Sequence, residues 1–156
     1  MIQSAAFTDL DGHTLYGLLA LREAVFVVEQ ECAYLDLDGR DTEPTTQHLW
    51  VSVDGAPVAT VRLLDDGIAA DGAPVWRIGR VATAAAHRGH GYASALIDEA
   101  LRRIGHHRVE IGAQAYLAEW YARFGFVRSG PDYVEDGIVH LPMRREAGVG
   151  PTMGQA

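Results

Sequence analysis

The chain has 156 residues, 48% of them hydrophobic and 22% charged, with 21 acidic against 13 basic side chains. That size suits one domain and that composition excludes a disordered or fibrous chain, while a formal charge of −8 speaks against a nucleic-acid partner, which would ask for a basic surplus. No apolar run reaches the roughly 18 residues of a membrane helix, residues 1–4 show no secretory leader, and Cys32 is the only cysteine, so a cytoplasmic protein without membrane contact or intrachain disulfide is expected.

Residues 2–7 read as a strand, after which Asp9 or Asp11 can cap a helix whose apolar stripe runs through Leu15, Leu18, Leu19, Val25 and Phe26 to an end near Val27 or Val28. Residues 29–44 follow as a long, acidic, irregular segment. Strands are predicted at 47–53 and 57–64, joined by Asp54-Gly55-Ala56, and at 75–83 after a connection over 65–74. A helix over 91–104 buries Leu96, Ile97, Ala100, Leu101 and Ile104. A strand at 109–113, a helix at 115–124, a strand opening at 126–127, a turn over 131–137 and a closing strand at 138–144 complete the order. Residues 1–145 form the expected domain, and 146–156, rich in Gly and Pro, a disordered tail. This order indicates an α/β (α+β) fold, a mixed sheet with helices on both faces.

Charge is uneven along the chain. Residues 22–43 carry seven acids against Arg22 and Arg40, and residues 77–108 carry six arginines against Asp98 and Glu99. The first stretch suits an amine and the second suits phosphates, although both patterns also describe ordinary solvated faces.

The sharpest motif is Arg88-Gly89-His90-Gly91-Tyr92-Ala93, placed between a predicted strand and the helix it opens. Glycines let backbone approach a ligand closely, and the first N–H groups of a helix lack intrahelical partners, so this segment suits a phosphate or pyrophosphate. It is not a P-loop, because the chain has no lysine. The dinucleotide fingerprint is disfavoured by Ser94 at its third small position and by Glu110, which lies inside a strand.

Together with Gln114, Tyr121 and Gly125-Phe126, this motif resembles the GNAT N-acetyltransferase superfamily. Arg88, Gly91 and Ala93 match its cofactor loop, and Gln114 stands where the family commonly has Asn. A tighter resemblance, to the small bacterial ElaA-like branch, spans almost the whole chain. It rests on Arg22 to Cys32, Leu37-Asp38-Gly39-Arg40-Asp41, Arg77 to Val81, Ala113-Gln114-Ala115 and Glu135 to Ile138. The resemblance implies a single GNAT-like domain whose mixed sheet splays open between strands 75–83 and 108–113. Acetyl-CoA would lie in that gap. Its pantetheine arm would pair with Arg80, Val81, Ala82 and Thr83, its pyrophosphate would rest on Arg88, Gly89, His90, Gly91, Tyr92, Ala93 and Ser94, and Gln114 would adjoin it.

Direct transfer needs a neutral amine, stabilisation of the tetrahedral intermediate and a proton for the leaving thiolate. The resemblance assigns the second task to the Val81 N–H and the third to Tyr121. The general base stays open among Glu29, Glu31, His48, Glu110, Asp136, His140 and a water chain, with Glu29 foremost. The segment 29–43 and residues 133–140 are the expected acceptor walls, with Cys32, His48 and His140 as substrate-facing candidates. Cys32 could in principle carry the acetyl group, although a thiol in the acceptor wall is the plainer reading. No His-x-His or His-Glu-x-x-His spacing occurs, so no metal is expected. The acceptor would be an amine on a small molecule or peptide, and the family's habits allow a homodimer. The alternatives are a noncatalytic acyl-CoA sensor and, less well supported, a dinucleotide-dependent enzyme.

Overall fold

The computed structural model of the chain describes residues 1–148. Strand β1 (Ile2–Ala5) leads through a short turn to α1 (Gly12–Arg22), where the Asp11 carboxylate accepts the Thr14 N–H at 2.7 Å and caps the helix. Instead of ending, α1 widens into a π-helical turn, Glu23–Glu29, closed by the Cys32 N–H on the Val27 carbonyl at 3.1 Å. Such widened turns concentrate at functional sites. The helix therefore reaches one or two residues further than its apolar stripe suggests.

Strand β2 (Gln47–Val53) turns into β3 (Ala56–Ile68) through Asp54 and Gly55, both with positive φ (51° and 80°), the conformation a two-residue hairpin requires. β3 runs past its predicted end because its ladder with β4 (Pro74–Thr83) continues as far as Ile68 opposite Pro74. Helix α2 (Tyr92–Ile104) buries the predicted stripe against Leu49, Ala59, Val61, Leu63 and Ile78. Strand β5 (Arg108–Gln114) follows. The helix predicted over 115–124 is a 3₁₀ turn, Ala115–Leu117, leading into α3 (Ala118–Ala122).

Short β6 (Val127–Arg128), β7 (Tyr133–Glu135) and β8 (Ile138–Arg145) close the sheet. β7 was not expected. Asp136 and Gly137, at φ 51° and 76°, make a second tight hairpin where a plain turn was read. The sheet order is β1-β2-β3-β4-β5-β8-β6, with β7 also on β8, and every pairing is antiparallel except β4–β5. Alternation along β3 sends Ala59, Val61 and Leu63 toward α2 and sends Thr60, Arg62 and Leu64 to the opposite face, on the side of α1. The chain thus folds as a single α/β domain with helices on both faces. Most of the tail expected over 146–156 lies outside the described residues.

Candidate functional site

Parallel strands β4 and β5 pair only over Val75–Arg77, opposite Arg108–Glu110. Past Arg77 they share no ladder, so on that side the backbone of residues 78–83 has no strand partner among the described residues, and unpaired strand groups favour an extended ligand. On the β3 side, Thr60 faces Ala82 whereas Arg62 faces Gly79, which places one extra residue in β4. Arg80 takes it up with a φ of 49°, an uncommon conformation for a side-chain-bearing residue, in a bulge that bends the strand at the splay. A cleft of about 1030 Å³ follows the opening, lined by Arg80, Val81, Ala82 and Thr83 from β4 and by Ile111, Gly112 and Gln114 from β5.

At one end of the cleft stands the glycine-rich loop. Gly89 and Gly91 have φ of 82° and 76°, and a Cβ on either would meet nothing within 4 Å, so open space lies in front of the backbone. The first N–H groups of α2 follow directly. Arg88, Gly89, Gly91, Tyr92, Ala93 and Ser94 line the cleft; His90 does not. Its ring stacks on Tyr92 at 5.6 Å, and its Nδ1 lies 3.0 Å from the His87 carbonyl. One cleft can therefore hold an anion at a helix N-terminus and an amide-bearing chain along a free strand edge.

Tyr121 is buried in the cleft wall, edge-on to Trp120 and Phe126. Burial, aided by the nearby Tyr116, pushes its phenol up to about 12, so the group stays protonated and can donate. Gln114 closes β5 and donates through Nε2 to Gln30 Oε1 at 3.3 Å, tying the strand end to the π-helical turn. Opposite it on β8 is His140, whose Nδ1 lies 2.8 Å from the Ile138 carbonyl. A carbonyl only accepts, so Nδ1 is the donor in this contact. The His140 ring stacks on Tyr133 at 5.5 Å, and the Tyr133 hydroxyl lies 2.5 Å from where a Cβ on Gly112 would stand. Tyr133 belongs to the 133–140 segment expected as an acceptor wall, although its approach to β5 is not expected from the sequence. The glycine in the middle of β5 was the available signal, since such a glycine often marks a close approach.

Cys32 lines the cleft too, but its thiol lies 3.3 Å from the Gln30 carbonyl and 3.2 Å from the Asp136 carbonyl, and among the described residues it bonds no histidine that could activate it. Glu29 reaches the cleft in a bidentate pair with Arg88, at 2.8 Å for the Nη2 contact. Hydrogen bonding to that guanidinium holds the Glu29 carboxyl below its ordinary value, which makes it a weaker base than expected. His48 is displaced from its expected place. It is 3% exposed on β2, outside the cleft lining, with Nε2 3.2 Å from the Asp41 carbonyl; burial lowers its pKa, and it supports the fold rather than a substrate.

The acidic segment is likewise not an open anionic wall. Arg22, 2% exposed, bonds Asp36 at 2.8 Å and Asp41 at 2.7 Å; Arg62 bonds Asp38 at 2.8 Å and Asp41 at 3.1 Å; Arg80 pairs with Asp36 and Asp38. Arg40 takes Glu43 and Asp66. These acids anchor their loop to α1, β3 and β4. The cationic stretch is similarly committed, since Arg77, Arg102, Arg103 and Arg108 all pair with carboxylates. Among the described residues, no three His, Cys, Asp or Glu side chains gather as a metal set would, and no helix is long and apolar enough to cross a membrane.

Residues 20–147 match the family model described as Acetyltransferase (GNAT) domain. The chain is 47% identical over 138 residues to a UPF0039 protein of Mycobacterium tuberculosis, covering 88% of this chain and 87% of that one. To the ElaA protein of Escherichia coli it is 41% identical over 150 residues, 92% of this chain and 95% of the other. The ElaA crystal structure superposes with a TM-score of 0.85 at 36% identity over 94% of this chain and 99% of its own. An acyl-CoA N-acyltransferase from Pseudomonas aeruginosa superposes at 0.82, with 38% identity over 93% of this chain and 99% of that one. A strand pair that parts beside a glycine-rich helix start is thus found in a chain that belongs to the GNAT acetyltransferase family, in its ElaA-like branch, and is an acyltransferase.

Proposed function

We propose that the chain moves an acetyl group from acetyl-CoA directly to a primary amine of a small molecule or peptide, in a ternary complex. The observation that carries this reading is the free edge of β4, which faces parted β5, ends at the glycine-rich loop and has a protonated tyrosine in the adjoining wall. The residues present fit the donor. Open space before Gly89 and Gly91 suits a pyrophosphate, the unpaired backbone of residues 78–83 suits the two amides of pantetheine, and the cleft volume is at the upper end for ligand sites.

In this reading the Val81 N–H polarises the thioester carbonyl as the amine attacks. The C–N bond forms, the C–S bond breaks, Tyr121 passes its proton to the departing sulfur, and the proton shed by the attacking nitrogen leaves through water, which returns one to Tyr121. A donor at about 12 faces a thiol near 8.5, but the burial that raises the tyrosine also raises the basicity of an unsolvated thiolate, so the gap narrows as sulfur leaves. The acceptor's charge is met by Glu135 and Asp136, which line the cleft. They replace the 36–41 acids as the anionic side of the acceptor half. The protein is read as cytoplasmic.

The test is a panel of polyamine, amino sugar and peptide amines supplied with acetyl-CoA, followed by thiol release and by the acceptor's gain of one acetyl group. Turnover with a simple amine supports the proposal. Tight CoA binding with no turnover on any amine would instead favour a sensor, and absence of CoA binding would sink both.

A further inference from the structure

The Glu29–Arg88 pair joins residues 59 apart in the chain, from the π-helical turn on one wall and from the glycine-rich loop on the other. Its geometry is two-pronged: Arg88 Nη1 and Nη2 meet the two carboxylate oxygens, while Nε donates to the Thr83 carbonyl at 3.1 Å. Thr83 ends the free edge of β4, so the guanidinium is aimed across the mouth of the cleft with each of its nitrogens engaged. A carboxylate set on an arginine in this fork presents the same two oxygens as a phosphate would. Arg88 is also the cation of this loop, the other arginines of residues 77–108 being paired elsewhere.

We infer that Glu29 occupies on Arg88 the place a donor phosphate takes, so that the donor enters by exchanging one anion for another and CoA leaves with Glu29 returning. Glu29 is then an internal competitor that sets donor affinity and product release. This rests on the acyl-CoA reading above. Both side chains are 41–45% exposed, so the pair is a modest one and its exchange stays reversible.

Calorimetric titration with CoA separates the possibilities, using the wild-type protein, Glu29→Gln, Arg88→Gln and the double variant. Glu29→Gln should tighten CoA about two- to fivefold, the scale of an exposed ion pair. The gain should vanish in the Arg88→Gln background, where the double variant matches the single one. A Glu29→Gln protein that binds CoA as the wild type does, or more weakly, overturns the inference and makes Glu29 a support for Arg88. An equal gain in both backgrounds overturns it as well, since general repulsion would then be the cause. If none of the four proteins binds CoA, the acyl-CoA reading itself fails and takes the inference with it. Thermal melts in the absence of CoA confirm that the variants fold.

Discussion

At Tyr121 burial and chemistry pull in the same direction. An apolar wall keeps the phenol protonated and places it against the cleft. Tyr121→Phe keeps the ring and its edge contacts with Trp120 and Phe126, so CoA affinity should stay within a few-fold while turnover falls by roughly 10²-fold or more. With its pKa raised to about 12, the acid form persists as pH rises, so no loss of rate from its ionisation is expected below about pH 10. A Tyr121→Phe enzyme with normal turnover would leave solvent as the donor. Gly91 works through its backbone instead. At φ 76° a β-branched side chain is strained and would fill the open space before the loop, so Gly91→Val should fold with a penalty of about 1–3 kcal/mol and lose at least about tenfold in CoA affinity by calorimetry. Unchanged affinity would remove this loop from the donor site.

Among the elements, the loop following α1 departs most from expectation. Asp36, Asp38 and Asp41 looked like a lure for a cationic acceptor but are bound to the buried Arg22 and Arg62, and that changes what their removal does. Burial alone would raise the Asp41 carboxyl, but hydrogen bonds and charge from Arg22 and Arg62 outweigh it and hold the group below its unfolded value of 3.8. A depressed carboxyl stabilises the fold above that unfolded value, and the contribution is lost as pH falls through the folded pKa. Asp41→Asn should therefore cost about 3–5 kcal/mol at pH 7, the range for orphaning a buried partner, and should flatten the acid limb of stability in urea unfolding followed from pH 7 to about pH 3. A variant as stable as the wild type would mean that the loop is held by Asp36 and Asp38 alone. The glycine-rich loop and hairpin β2–β3 were legible because their signals are local: two glycines before a helix, and Asp-Gly between strands. The β7–β8 hairpin had the same Asp136-Gly137 signal but a strand of only three residues, too short for alternation to show.

For the whole molecule, the cleft is large and lies along the splay of the central sheet, so a donor that fills it should stabilise the fold against heat. At a CoA concentration 100 times its dissociation constant the gain is about 2.7 kcal/mol, which for a domain of 156 residues is a melting shift of roughly 5–10 °C. NAD at the same concentration should give no shift, since the loop has Ser94 in the fingerprint's third small position and Glu110 is engaged by Arg144 inside the sheet. A larger shift with NAD than with CoA would reverse the reading of the loop.

The sequence by itself determined the features that short-range chemistry encodes. The stripe of α2 follows helical period, the Asp11 cap and the Asp54-Gly55 turn follow local hydrogen bonding and φ preference, and the glycine-rich loop follows from its composition. The ordered set of family motifs, from Arg22 to Ile138, carried the splayed fold and the acyl donor with it. Only the tertiary structure decided which opposite charges meet. Arg22 finds Asp36 and Asp41, Arg80 finds Asp36 and Asp38, and Arg88 finds Glu29, from 14 to 59 positions away. It also decided that His48 is sealed within the sheet while His140 lines the cleft, and that β4 takes its extra residue at Arg80. The physical reason is common to all of these. Residue type sets what a side chain can do, but partners, burial and strand register are set by the packing of segments distant in the chain, on which no local pattern reports.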